Sequence, residues 1–259
     1  MKYACIGDVH GRHEELVKLL DKLGIRRTTS TESGWISEDG YKVIQLGDLC
    51  DYGIVSHGYS SVKCFEIMME LTAAGLAEVL YSNHHDKLLR YLKGNKVKPS
   101  HGLENTIEEI KECSMDFQGE LFVWISKLPL HIRFSEYEKE YICAHAYFDL
   151  KLEKILAENN QIDTEQLIGD RKGMEYLRAT AIYGPRTEMN GTERLKWWED
   201  ETWIAEKFNP NIHYIVAHLH IFKAHKQFHI LDSEQALMCW IPSEDRYIGI
   251  AKRHLDVHD

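Results

Sequence analysis

Residues 3–11 read YACIGDVHG, a four-residue apolar run that stops on a glycine and then offers an aspartate and a histidine two positions apart. The same design recurs along the chain. VIQL (Val43–Leu46) leads into GDLCDYG, EVLY (Glu78–Tyr81) into SNHHD, YICA (Tyr141–Ala144) into HA, and YIVA (Tyr214–Ala217) into HLH. Apolar runs of this length bounded by turn formers read as buried strands. In open α/β sheets the carboxyl ends of the strands share one edge, and sites are built there. Asp8, His10, Asp48, Asn83, His145, His218 and His220 are therefore expected to converge, although the first and last lie at opposite ends of the chain.

Between the first two runs lies HEELVKLLDKLG, whose Leu16, Leu19, Leu20 and Leu23 form one helical stripe that Gly24 can end. A second helix is predicted from Ser60 to Ala74, which establishes β-α-β alternation early. The stretch 86–140 reads as mainly helical, with Ile107, Ile110 and Cys113 on one face of ENTIEEIKEC, and is expected to form a cap or insertion beside the site. FHILDSEQALMCWIPSEDRYIGIAK is broken by DSE and PSED, which predicts two or three antiparallel strands finishing a second sheet. No repeat, low-complexity tract or Gly/Ser linker interrupts the chain. The expected fold is α/β, a two-sheet sandwich flanked by helices, in a single domain over 1–259 with 86–140 as its helical insertion.

Composition excludes several classes. At 259 residues and 44% hydrophobic content the chain can bury a sizeable core. A net charge of -10 disfavours a broad non-specific grip on a nucleic-acid backbone. The six cysteines contain no CxxC pair, so buried thiols are expected rather than disulfides or a zinc knot. No apolar run approaches the roughly 18 residues of a membrane span, and the N-terminal MKYACIGDVHG lacks the apolar core of a signal peptide, so a cytosolic protein is expected.

The polar tips suit two cations. A pair of divalent ions about 3.5–4 Å apart needs one ligand that touches both, which a carboxylate can do and an imidazole cannot. Asp48 is the natural bridge, with Asp8 and His10 beside it on a glycine-flanked turn. Asn83 supplies an amide oxygen, and His145, His218 and His220 supply nitrogens suited to transition metals, manganese first and iron, zinc or nickel as alternatives. One DxH or HxH pair is weak evidence, since an N-cap aspartate or a core histidine explains each alone. Five such tips, each behind a strand, make the metal reading.

These residues resemble the calcineurin-like metallophosphoesterase superfamily, whose pattern is GDxHG, GDxxDRG, GNH followed by an acid, a later histidine, and GHxH. The likeness spans nearly the whole chain. NHHDKLLRYLKGNKVKPSHGLENT further resembles bacterial bis(5'-nucleosyl)-tetraphosphatases and the phosphatase domain of bacterial polynucleotide kinase-phosphatases, with a fainter echo in IYGPRTEMNGTERLKWWED. The resemblance implies an αββα sandwich with one metal on Asp8, His10, Asp48 and His220 and the other on Asp48, Asn83, His145 and His218. It also implies that His84 serves the leaving-group oxygen and that Asp51 orients it. His85 stands where an acid is usual and reads as a first-turn helix residue.

The chain departs from the pattern at three places. Tyr52 replaces an arginine that contacts substrate phosphate, leaving Arg12, Arg90, Lys93 and Arg186 as candidate phosphate groups and Tyr52 itself as a ring on which a base could stack. Ser82 and Ala217 replace glycines, and AHLH keeps two histidines. The expected activity is hydrolysis of phosphate esters or anhydrides by a metal-bridging hydroxide, on nucleotides or nucleic-acid ends. A phosphoprotein phosphatase or a phosphodiesterase is the alternative, and a non-catalytic metal-binding relative is the remote one.

Overall fold

The computed structural model describes residues 2–52, 58–158, 172–186, 195–224, 227–233 and 236–251. Residues 187–194, within the fainter of the two sequence echoes, lie outside them.

Two five-stranded sheets form the centre. The first has the order β12-β11-β1-β4-β5, built from β1 (Lys2–Ile6), β4 (Tyr41–Gln45), β5 (Ala77–Val79), β11 (Ala236–Ile241) and β12 (Arg246–Ala251). The second runs β6-β7-β8-β10-β9, from β6 (His131–Glu136), β7 (Lys139–Ala144), β8 (Ile212–Val216), β9 (Phe222–Ala224) and β10 (Phe228–Leu231). Within each sheet three strands are parallel: β1, β4 and β5 in one, β7, β8 and β10 in the other. Their carboxyl ends carry the polar tips.

The apolar runs are continuous because both faces of these strands are covered. Cys5, Ile44, Cys143 and Ile215 point between the sheets into a cluster with Leu46, Phe134, Tyr141, Leu231 and Trp240. Their neighbours Ala4, Ile6, Val43, Ile142, Tyr214 and Val216 point outward into a second, larger cluster under the helices. Helices α1 (His13–Lys22), α2 (Ser61–Ala73), α3 (Asn83–Leu92), α4 (Leu103–Lys111) and α5 (Met115–Ser126) follow the first strands, and α6 (Leu150–Glu158), α7 (Lys172–Tyr183) and α8 (Glu201–Lys207) precede β8. On α1 the leucine stripe is buried as its spacing predicts, with Leu16, Leu19, Leu20 and Leu23 each at most 1% exposed. Among the described residues no helix is long and apolar enough to cross a membrane.

The structure corrects the sequence reading at three elements. The stretch expected to be mainly helical through 140 turns to strand at His131, and HIRFSE alternates in burial as an edge strand of the second sheet does. ALMCWI and RYIGIA join the first sheet rather than the second, because β1 has a free edge opposite β4 and β11 fills it antiparallel, Cys5 facing Trp240. A small hairpin, β2 (Ile25–Arg27) with β3 (Trp35–Ser37), lies between α1 and β4.

Candidate metal centre

Each candidate ligand sits in the loop or helix start after a strand, and at several of them the backbone is bent hard. His10, Asp48, Asp51, His218 and His220 have φ of 48°, 49°, 69°, 64° and 54°. That left-handed conformation costs a non-glycine residue about 1–2 kcal/mol, so the surroundings must hold it. Gln45, wholly buried at the end of β4, ties the turns together, accepting from Gly47 N at 2.9 Å and donating to the carbonyls of Gly47 and Gly7. Gly47 lets two loops close in, since a Cβ there would lie 2.6 Å from Ser82 Cβ and 2.7 Å from His145 Nδ1. Ser82, where the superfamily has glycine, accepts from Asp48 N at 3.0 Å and from His85 N at 3.3 Å, so one hydroxyl caps α3 and pins the bridging turn.

The side chains converge as two groups that share Asp48. His10, Asp48 and His84 present donor atoms within 4.8 Å of one another, and so do Asp48, His145 and His218. Asp8 lies between, its carboxylate 4.0 Å from His10 Nε2 and 3.8 Å from His145 Nδ1. His218 N donates to Asp8 Oδ2 at 3.2 Å, which fastens the second sheet's loop to the first sheet's.

Hydrogen bonding sets which nitrogens face inward. His145 Nδ1 lies 2.8 Å from Leu46 O, and His10 Nδ1 lies 3.2 Å from Cys50 O. A carbonyl only accepts, so both rings carry their proton on Nδ1 and turn the Nε2 lone pair to the centre. Asn83 Oδ1 meets His145 Nε2 at 2.8 Å, His218 Nδ1 at 3.2 Å and the Asp48 oxygens at 3.2 and 3.3 Å. An amide oxygen, a carboxylate and two imidazoles facing one another is the donor set a divalent cation satisfies, and turning the amide would satisfy it with hydrogen bonds instead. Asp8 Oδ1 favours the cation, being buried with no hydrogen-bond partner among the described residues.

The electrostatics agree. Burial, then Asp232 and Asp48, push the Asp8 carboxyl well above its usual range, a penalty that a cation's charge removes. Burial also raises Asp48, but in their charged forms His145 and His84 outweigh it and hold Asp48 well below, a part that a cation facing the neutral rings would take over. His10 is lowered to about 4 by burial, against the pull of Asp48. For His84 burial opposes the charged form, yet Asp48 and the hydrogen bond to Asp51 raise it overall. His84 Nδ1 lies 2.7 Å from Asp51 Oδ2, with Nε2 3.8 Å from Asp48 Oδ2.

Other sequence candidates fall elsewhere. His220 lies outside both groups: its side chain is 62% exposed, its ring centroid is 6.4 Å from that of His218, and its N–H donates to Asp232 Oδ2 at 2.6 Å. Tyr52 is buried, its ring packed on Gly11 and its hydroxyl donating to Glu109 Oε1 at 2.5 Å, so it offers no face on which a base could stack. Arg12 is buried too, its guanidinium bound to the Val9 and Asp8 carbonyls. Lys93 stands over the Phe122 ring. Arg90 is half-exposed beside Asp86, and Arg186 is exposed. Both act electrostatically on Tyr183, as does Arg178, which pairs with Asp86. The Tyr183 ring stands edge-on to His218, at 6.2 Å. Sequence reading missed Arg178 and Asp232; the latter follows FHIL as Asp8 follows YACI, so the same strand-end rule would have found it.

A two-sheet sandwich that joins two His/Asp clusters through one aspartate at its parallel strand ends defines a metal-dependent phosphoesterase. The chain belongs to the calcineurin-like phosphoesterase family, which it matches over residues 1–230. It is 29% identical over 202 residues to the asymmetrical bis(5'-nucleosyl)-tetraphosphatase PrpE of Halalkalibacterium halodurans, covering 76% of each chain. To the PrpE of Bacillus subtilis it is 31% identical over 180 residues, covering 68% of this chain and 69% of the relative. Among solved structures, one ascribed to a diadenosine tetraphosphatase aligns with a TM-score of 0.57 at 15% identity, over 98% of this chain and 94% of that one. A serine/threonine phosphatase from Saccharomyces cerevisiae aligns at 0.59 and 14%, over 99% and 82%. At such identities the structural likeness speaks for the fold alone.

Proposed function

We propose that the chain hydrolyses a dinucleoside tetraphosphate asymmetrically, into a nucleoside triphosphate and a nucleoside monophosphate. The observation that carries the chemistry is the sharing of Asp48 by two donor groups. What supports the substrate is the similarity to two tetraphosphatases across about three quarters and two thirds of the chain.

One cation would be held by Asp8, His10 and Asp48, the other by Asp48, Asn83, His145 and His218. The mixed imidazole and oxygen donors favour a transition metal, manganese first. When bound, the pair supplies the activated water and the charge neutralisation that in-line phosphoryl transfer needs. The protein's own part is proton delivery. His84, its Nδ1 held by Asp51, gives a proton from Nε2 to the departing oxygen as the P–O bond breaks. Water contributes OH to phosphorus, and its remaining proton restores the imidazolium.

Steady-state kinetics on a dinucleoside tetraphosphate, a 5'-phosphorylated oligoribonucleotide and a phosphopeptide test the proposal. The tetraphosphate should show the highest kcat/KM, with one triphosphate and one monophosphate as products. A preference for the phosphopeptide would overturn the substrate while leaving the phosphoesterase in place.

A further inference from the structure

The turn that carries Asp51 is clasped by one face of α4. A Cβ on Gly102 would lie 2.5–2.6 Å from the backbone N, C and O of Tyr52, so this left-handed glycine (φ 89°) lets the helix begin directly against the turn. Asn105 Nδ2 donates to Tyr52 O at 2.7 Å. Thr106 Oγ1 donates to Asp51 Oδ1 at 2.7 Å and accepts from Asp51 N at 3.0 Å. One turn further, Glu109 takes the Tyr52 hydroxyl. Positions 102, 105, 106 and 109 form a single helical stripe. Its polar groups all reach two consecutive residues, Asp51 and Tyr52.

The protons have one consistent direction. A carboxylate only accepts, so Thr106 must donate to Asp51, and its oxygen is then free to accept from Ser61 Oγ at 2.8 Å. The chain runs Ser61 to Thr106 to Asp51 Oδ1, while Asp51 Oδ2 receives His84 Nδ1 at 2.7 Å. Ser61 and Thr106 are wholly buried, so no solvent replaces either hydroxyl. Asp51 itself sits at φ 69°, a conformation that needs holding.

We propose that Thr106 is a positioning residue for leaving-group protonation: it fixes both the backbone and the carboxylate of Asp51, and through them the direction in which His84 Nε2 delivers its proton. This rests on the reading of His84 given under Proposed function. The HGLENT block is thereby accounted for by the orientation of a catalytic pair rather than by contact with a nucleotide. Replacing the hydroxyl with a methyl leaves Asp51 Oδ1 without its donor and lets the carboxylate rotate. The cost then grows with the basicity of the leaving oxygen, because a p-nitrophenolate departs with little help whereas a simple phenolate, whose conjugate acid has a pKa of about 10, needs the proton.

The test measures kcat for Thr106→Val, Thr106→Ser, His84→Ala and the double variant His84→Ala/Thr106→Val. Paired p-nitrophenyl and phenyl esters of phosphate and of a nucleoside 5'-phosphate serve as substrates, and bound metal is determined for each protein. Thr106→Val should lose about 10–100-fold on the phenyl esters, the usual range for an outer-shell partner, and much less on the p-nitrophenyl esters, with metal content unchanged. Thr106→Ser should recover most of the loss, and Thr106→Val should add nothing to His84→Ala. Equal losses on both esters, or losses that multiply in the double variant, would overturn the assignment. If His84→Ala discriminates between the esters and Thr106→Val does not, Thr106 alone is removed; if His84→Ala does not discriminate, both readings fall. Ser61→Ala, which removes the proton feeding Thr106 and the weaker of two acceptors of Asp51 N, at 3.3 Å against 3.0 Å from Thr106 Oγ1, must show the same discrimination at smaller amplitude even if Thr106→Val does not fold.

Discussion

His84 and His85 are consecutive, and the roughly 100° step of a helix sends them into different chemistry. His84 faces Asp51 and the carboxylates of the metal centre, whereas His85 is wholly buried between Phe65 and Tyr81, with Nδ1 3.2 Å from Leu80 O and Nε2 unpaired among the described residues. The two alanine variants should therefore fail in opposite ways. His84→Ala should lower kcat by about 10²–10⁴-fold while melting temperature and bound metal stay near wild type. His85→Ala should leave kcat per folded molecule nearly unchanged but cost about 2–3 kcal/mol through the cavity, a fall of roughly 4–12 °C. Loss of metal in His84→Ala would instead make His84 a ligand, a role its place beside His10 and Asp48 allows geometrically. The six residues proposed as ligands, Asp8, His10, Asp48, Asn83, His145 and His218, could be named from the sequence because each stands within four positions of the end of an apolar run. Gln45 and Thr106 could not, since a polar residue inside a strand or helix carries no local sign of which distant loop it will hold.

At the scale of elements, α4 does for the candidate site what no single residue can. Glu109 accepts from Tyr52 OH, from Ser60 Oγ and from the backbone N–H groups of Ser61 and Val62, so it also satisfies the orphan donors at the start of α2. Tyr52, which replaces the superfamily's arginine, is part of this joint. Burial and the Glu109 hydrogen bond push its phenol well above the usual tyrosine range, so it stays a neutral donor. Tyr52→Phe should cost about 1.5–3 kcal/mol, the usual value of a hydrogen bond to a charged group, with KM for a phosphate ester unaltered. Tyr52→Arg should destabilise further, because a guanidinium would have to fit the space of a ring packed on Gly11. Chemical denaturation read beside KM decides it: normal stability with a raised KM in Tyr52→Phe would return the ring to the substrate. Elements were legible where periodicity was strong, as in the leucine stripe of α1. They were misplaced where the pattern leaves the partner open. RYIGIA and ALMCWI read as strands of either sheet, and only the free edge of β1 decides between them.

For the whole molecule, the two sheets share an apolar cluster along their length and meet through polar side chains at the candidate metal centre. Asp8, Asp48 and Asn83 follow strands of the first sheet, and His145, His218 and Asp232 follow strands of the second. Asp8 and Asp48 are buried to 3% and 1% exposure, and although the imidazoles offset the charge of Asp48, burial and the neighbouring carboxylates leave that of Asp8 uncompensated. Cations that touch ligands from both sides bind the folded chain and not the unfolded one. At a hundredfold excess over its Kd each ion adds about 2.7 kcal/mol of stability. Melting temperature should accordingly rise with manganese and fall on chelation, together with activity, and both should return when the metal is restored. Asp48→Asn tests whether one carboxylate joins the two ions. If it does, this variant should lose most of the metal-dependent rise and nearly all bound metal, whereas His220→Ala, with its exposed ring outside both groups, should keep both. A full manganese-dependent rise in Asp48→Asn would show that the ions are held independently. A loss in His220→Ala as large as that in His218→Ala would show that the ring swings inward past Asp232 when metal binds.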